Sequence, residues 1–210
     1  MPTFPTGPNT LLLLSGGLDS AYCLWKHVRT GQPIRTHHVV LADHEGRQEV
    51  ERVATQRVLA WVHAKVPGSR ALIQHTESRV SFGDLRWIPK NYHLWAYWTG
   101  VIMAAPSGRA ITDIILPRHS DAFAGGPTGP SARRSDTAYK GHVKLIAGRE
   151  PVLRYPMAHL TKAQVIADMP QGLIDASWWC RTPRNGTRCH KCATCKLVDP
   201  ALAARARKVG

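Results

Sequence analysis

Apolar positions in this chain form short buried runs that alternate with stretches of helical period. Thr10 to Leu14 carries four successive leucines, which predicts a strand covered on both faces. From Asp19 to Thr30, Ala21, Leu24, Trp25 and Val28 recur at helical spacing, so a helix follows, and Gly31 and Pro33 end it. Ile34 to Leu41 has the β-branched content of a second strand and runs into the polar loop Asp43-His44-Glu45-Gly46. Gln48 to Lys65 places Val50, Val53, Ala54, Val58 and Trp61 on one helical face; Pro67-Gly68 stops it, and Ala71 to His75 predicts a third strand. After an irregular stretch over residues 76–91, Tyr92 to Ala105 reads as an apolar, aromatic helix and Ala110 to Leu116 as a fourth strand. Pro117 to Arg134 is rich in Gly and Pro and predicts a loop long enough to carry function. Ser135 to Ala147 predicts a helix and Val152 to Tyr155 a fifth strand. Thr161-Lys162-Ala163-Gln164 has capping-box spacing and starts a helix running to about Met169. From Ala201 the tail reads as a short basic helix or a frayed end.

Strand and helix alternate through most of this pattern. The alternation predicts an α/β protein, a Rossmann-like doubly wound parallel sheet with helices on both faces. In such sheets ligands bind at the carboxyl ends of the strands. The expected organisation is a loose arm over residues 1–9, an α/β domain over 10–176 and a cysteine-bearing segment over 177–210.

The first strand runs into Ser15-Gly16-Gly17-Leu18-Asp19-Ser20, at such a carboxyl end. A Walker loop needs Gly-Lys-Ser/Thr, which is absent, and the dinucleotide fingerprint G-x-G-x-x-G does not fit. Adjacent glycines let backbone approach a ligand, and the N-terminus of the following helix presents free N–H groups to a phosphate. The signature Ser-Gly-Gly-x-Asp-Ser is that of the pyrophosphate loop of ATP pyrophosphatases. In that reading the serine hydroxyls and glycine amides wrap the ATP phosphates, and Asp19 sits near the magnesium that accompanies ATP.

Four of the five cysteines follow the pattern Cys180-x8-Cys189-x2-Cys192-x2-Cys195. Two-residue gaps let successive thiolates turn onto one ion, and four thiolates suit a closed tetrahedral zinc site. An iron–sulfur cluster or disulfides are the alternatives, and His190 can substitute for one cysteine. Cys23 falls on the apolar face of the first helix and reads as a core residue.

Composition adds a bias in partners. The 210 residues carry a net charge of +14, from 28 Lys and Arg against 14 Asp and Glu. This excess favours nucleotides or nucleic acid, although the basic residues form no block. No apolar run approaches the ~18 residues of a membrane span. The segment Met1 to Thr10 lacks the Lys or Arg of a secretory leader, so a cytoplasmic protein is expected, with no membrane partner.

The phosphate turn and the cysteine cluster, in this order, resemble the 7-cyano-7-deazaguanine synthase family of the PP-loop ATP pyrophosphatases. In between, Trp87-Ile88-Pro89-Lys90-Asn91 is similar to the family's Val-Pro-Gly-Arg-Asn segment, and Tyr155 through Lys162 to its Pro-Leu-x4-Lys stretch. The resemblance implies ATP, Mg2+ and Zn2+ as cofactors. It implies 7-carboxy-7-deazaguanine and ammonia as substrates, joined through an adenylate to an amide and then to a nitrile. Ser15, Gly16, Gly17, Leu18, Asp19 and Ser20 would hold ATP, with Asp19 and Lys162 catalytic. Lys162 reads equally as an exposed first-turn lysine. Lys90, Asn91 and Asp121 would border the substrate, and Cys180, Cys189, Cys192 and Cys195 would bind zinc. The chain departs from the family at Asp43-His44, where an aromatic-Gln-Arg-His segment is usual, and at Thr128, which stands in place of a second acid. A tRNA-modifying enzyme of the same loop class, an amide-forming synthase and a non-catalytic zinc protein that binds nucleic acid are the competing readings. A homodimer is compatible with the basic surface and helical tail.

Overall fold

The computed structural model describes residues 7–42, 46–81, 83, 91–123 and 125–209. Asp43, His44 and Lys90 lie outside the described residues, as does most of the arm; of Asn91, only the backbone is described. Five strands form one sheet: β1 (Thr10–Leu13), β2 (Ile34–Ala42), β3 (Ile73–Ser81), β4 (Asp113–Ile115) and β5 (Val152–Arg154). Their order is β3-β2-β1-β4-β5 and every pairing is parallel. The chain therefore runs outward from β1 to β3, then crosses to the other side of β1. This reversal opens a crevice at the carboxyl ends of β1 and β4.

The leucine run explains why β1 is central. Leu11 and Leu12 are both fully buried, but against different layers, because successive strand side chains point to opposite faces. Leu12 and Leu14 pack with α1 (Leu18–Val28), α2 (Gln48–Lys65), α6 (Lys162–Asp168) and α7 (Gln171–Ala176). Leu11 packs with Ala96 and Met103 of α4 (Asn91–Ala104) and with Tyr139 and Val143 of α5 (Pro130–Ala147). The doubly wound parallel sheet expected from the alternation is thus the observed fold. Between α4 and α5 the buried hydroxyls of Thr99 and Tyr139 lie 2.6 Å apart, which satisfies two polar groups in an otherwise apolar interface. The edge strand β3 alternates half-buried and exposed residues and carries Glu77 and Arg79 outward, which discourages pairing with another chain.

Several boundaries differ from the sequence expectation. β3 continues to Ser81, well past His75, because its pairing partner β2 is long enough to satisfy each added residue. Pro130 starts α5 at its first turn, where the missing N–H does no harm, so the Gly/Pro-rich loop is shorter than its composition implies. Two short helices not expected from periodicity, α3 (Ser69–Leu72) and α7, cover ends of α2 and the sheet. The last helix, α8 (Ala193–Val209), starts inside the cysteine cluster and not at Ala201, and continues through Pro200. Its packing on α6 holds it, and Val198, Ala201 and Leu202 join the core around α1. No helix among the described residues is long and apolar enough to cross a membrane.

Candidate nucleotide site and cysteine centre

The turn after β1 is held from three sides. From β2, the fully buried His38 lies with Nδ1 2.8 Å from the Leu14 carbonyl oxygen. A carbonyl only accepts, so Nδ1 carries the proton; burial pushes the ring's pKa down and keeps it neutral. From α2, Thr55 and Glu51 crowd Gly16. This glycine has φ +70°, and a Cβ there would fall 2.6 Å from the Thr55 amide nitrogen and 2.8 Å from the Glu51 carbonyl oxygen. Gly16 is therefore required twice, for its backbone conformation and for its contact with α2. From the C-terminal segment, the Trp178 amide donates to the Gly16 carbonyl at 2.9 Å.

Within the turn the polar groups bond to one another. The Gly17 amide donates to Ser15 Oγ at 3.3 Å, and Ser20 Oγ donates to the Gly17 carbonyl at 3.1 Å. The two serine hydroxyls are 3.2 Å apart. Gly17 is the N-cap of α1 and supplies no side-chain cap, so the first amides of the helix have no side-chain acceptor there. These are the donors an anion at a helix N-terminus would take up. Leu18 is buried, so it can offer a ligand only its backbone.

Asp19, in the first turn of α1, forms an ion pair with Lys162 Nζ. Lys162 is only 4% exposed, so it is not a solvated first-turn lysine. It occupies the first position of α6, whose N-cap Thr161 and Gln164 form the complete capping box expected from their spacing. A cation at that end opposes the helix dipole, so the Asp19 carboxylate offsets an unfavourable placement. Asp121 completes the array. Its carboxylate accepts from the Lys162 amide at 3.1 Å and from His119 Nδ1. Burial works against the charge on Asp121, but those hydrogen bonds hold its pKa below the usual carboxylate value. Asp19, Lys162 and Asp121, far apart in the chain, thus meet at one place. Asp121 is engaged in anchoring the N-terminus of α6.

Two residues beside Asp121 were not singled out from the sequence. His119 is buried and bonded to Asp121; the only sequence signal is a His two positions before an Asp in a suspect loop. Arg118 is buried between the rings of Phe123 and Tyr155, 4.5 and 4.7 Å from their centroids, and pairs with Asp136 at 2.7 Å. Cys23 is buried against Met157, as expected of a core residue, and burial pushes its thiol pKa far up.

The four predicted metal ligands do converge. The sulfurs of Cys180, Cys189, Cys192 and Cys195 all lie within 4.8 Å of one another. With Zn–S bonds of about 2.3 Å, tetrahedral coordination needs sulfurs roughly 4 Å apart, so the set fits zinc. Backbone amides support the sulfurs: Cys189 N–H donates to Cys180 Sγ at 3.2 Å and Cys192 N–H to Cys189 Sγ at 3.3 Å. The Thr182 hydroxyl and nearby amides bring the Cys189 thiol down to about 5, whereas burial pushes the Cys180 and Cys195 thiols up, so it is a bound metal that would hold all four as thiolates. His190 takes φ +55° and places Nδ1 2.8 Å from Asp199, so it serves the outer face of the cluster instead of replacing a cysteine. Cys180 and Cys195 belong to the same core as Leu14 and Leu18, and the Trp178–Gly16 hydrogen bond joins the cysteine segment to the Ser15–Ser20 turn.

No protein-family model and no curated protein matches the sequence. Among solved structures the chain is similar to NMN synthetase from Francisella tularensis, with a TM-score of 0.49 at 14% identity, over 96% of this chain and 85% of that one. The strand order β3-β2-β1-β4-β5 and the core on both faces of the sheet define the fold.

Proposed function

We propose that the protein is an ATP-dependent carbon–nitrogen ligase of the PP-loop class. It activates the carboxylate of 7-carboxy-7-deazaguanine, or a close relative, and transfers ammonia to it. The observation that carries this reading is the buried Lys162, held by Asp19 at the uncapped N-terminus of α1 beside the Ser15–Ser20 turn. The Asp19–Lys162 pair lies between the heads of two helices, whose dipoles both favour an additional anion there.

In the proposed reaction a carboxylate oxygen attacks the α-phosphorus of ATP and the bond to the β-phosphate breaks. Pyrophosphate leaves from the turn, where the Ser15 and Ser20 hydroxyls and the Gly17 amide exchange their internal hydrogen bonds for phosphate oxygens. Lys162 balances the charge that develops on the leaving group. Asp19 is the carboxylate that would hold a magnesium bound with ATP, which would spread that charge further. Ammonia then adds to the acyl adenylate, and loss of a proton and of AMP gives the amide. A second adenylation on the amide oxygen, followed by loss of AMP and a proton, gives the nitrile. Asp121 acts through Lys162 by anchoring α6. Cys180, Cys189, Cys192 and Cys195 would hold zinc, which would supply a structural crosslink.

The test is incubation with ATP, magnesium, ammonium and 7-carboxy-7-deazaguanine, read by mass spectrometry. AMP and a product lighter by the change from carboxyl to amide or nitrile support the reading, and the mass distinguishes the two products. The absence of AMP refutes it. The net charge of +14 favours a second reading, modification of tRNA by the same adenylating chemistry. In that case AMP release depends on tRNA and not on the deazapurine.

A further inference from the structure

We infer that the cysteine centre sets the nucleotide affinity of the phosphate turn, with Trp178 as the positioning residue between them. The inference rests on reading Ser15–Ser20 as an ATP site. The connection is short and made of named bonds. The Trp178 amide donates to the Gly16 carbonyl at 2.9 Å. That carbonyl belongs to the same peptide plane as the Gly17 N–H, which points the other way, toward Ser15 Oγ in the turn. A peptide unit is rigid, so fixing its oxygen fixes the direction of its N–H. On either side of this plane are glycines, the residues least able to hold a peptide orientation by themselves. The Trp178 carbonyl lies 3.4 Å from where a Gly17 Cβ would be, so its backbone runs along the Gly16–Gly17 peptide.

Trp178 is in turn held by residues adjoining the metal ligands. Its indole Nε1 donates to the carbonyl of Cys180, itself a ligand, at 2.8 Å. Arg188, next to the ligand Cys189, covers the rings of Trp178 and Trp179 at 5.3 and 3.5 Å and donates to the Ser177 carbonyl at 3.4 Å. A metal that ties Cys180 to Cys189 therefore fixes both anchors of Trp178. With the four sulfurs released, the Cys180 carbonyl and Arg188 lose their common restraint, and the Gly16–Gly17 peptide is free to turn its N–H away from a phosphate. The sign follows: metal strengthens nucleotide binding. By thermodynamic linkage, nucleotide strengthens metal binding by the same factor.

The experiment uses the full chain, loaded with one zinc or stripped by a chelator, and a non-cleavable α,β-methylene analogue of ATP. Calorimetry is expected to give analogue binding about tenfold tighter with zinc, and competition against a chromophoric chelator the same factor for zinc when the analogue saturates. A metal uncoupled from the turn leaves both affinities unchanged. The variant Trp178→Phe keeps the ring and the zinc but loses the Nε1 bond to Cys180; in it the zinc-loaded protein is expected to bind the analogue several-fold more weakly. Equal analogue affinity with and without zinc overturns the inference. If circular dichroism shows that the stripped chain unfolds, Trp178→Phe decides alone, and unchanged affinity in that variant overturns it. Failure of the zinc-loaded wild type to bind the analogue at all removes the phosphate-turn reading itself.

Discussion

Gly16→Ala is expected to destabilise the protein far more than Gly31→Ala, although the two glycines share nearly the same backbone angle. Gly16 has φ +70° and Gly31 φ +74°. Forcing an alanine into that region costs about 1–2 kcal/mol at either position. Around Gly31 nothing lies within 4 Å of the added Cβ, so no further cost arises. At Gly16 the same Cβ meets the Thr55 amide nitrogen at 2.6 Å, the Glu51 carbonyl oxygen at 2.8 Å and Thr55 Oγ1 at 2.9 Å. Two of these are backbone atoms of α2, which move only with the helix. Overpacking of this kind adds about 1–3 kcal/mol, for a total of about 2–5 kcal/mol. At roughly 2–4 °C per kcal/mol for a chain of this size, Gly31→Ala lowers Tm by several degrees and Gly16→Ala by up to about twice to three times as much. Urea unfolding followed by circular dichroism measures both values. Equal destabilisation of the two variants refutes the crowding against α2, and with it the view that this helix fixes the shape of the turn.

Three other outcomes are expected. Lys162→Met abolishes AMP formation and destabilises the fold by leaving the half-shielded Asp19 unpaired, whereas Lys162→Met with Asp19→Asn recovers stability but not activity; recovery of both refutes a role for the ammonium. Thr161→Ala removes the N-cap of α6 and lowers stability by about 1 kcal/mol in urea unfolding, and an unchanged midpoint refutes the capping-box contribution. Stability falls on acidification because burial lowers the pKa of His37, to about 4, and lowers those of His38 and His75. Between the unfolded value of about 6.5 and the folded one, the unfolded chain binds more protons, so stability is complete above that window and declines through it as pH falls. For His37 alone the loss is about 1–2 kcal/mol once residual solvation of the ring is discounted. His37→Asn should remove this share of the pH dependence, and an unaltered pH profile refutes the assignment.

The parallel sheet was legible because its signals are local. Leu11 to Leu14 has no polar alternation and must be covered on both sides, and the helix after it announces itself through Ala21, Leu24, Trp25 and Val28. The capping box at Thr161 was legible for the same reason, since its partners are three residues apart. The start of α8 was not: Pro200 argues for a break, and only packing on α6 overrides it. The extent of β3 was also hidden, because Glu77, Ser78 and Arg79 are poor strand residues that gain their bonds from β2.

For the candidate site the division is sharper. Sequence alone determined which residue types are present and how closely they follow one another: the Ser-Gly-Gly-Leu-Asp-Ser turn and the four cysteines whose sulfurs converge. It left Lys162 poised between surface and site, and gave no reason to join Asp121 to it or Trp178 to Gly16. Those contacts span up to 162 residues of chain, from Gly16 to Trp178, and depend on how α6 and the cysteine segment dock on one face of the sheet. Spacing rules reach as far as one helical turn or one pair of strand residues. Beyond that, the burial of one surface against another decides which polar groups lose water and must find a partner, and that decision belongs to the tertiary structure.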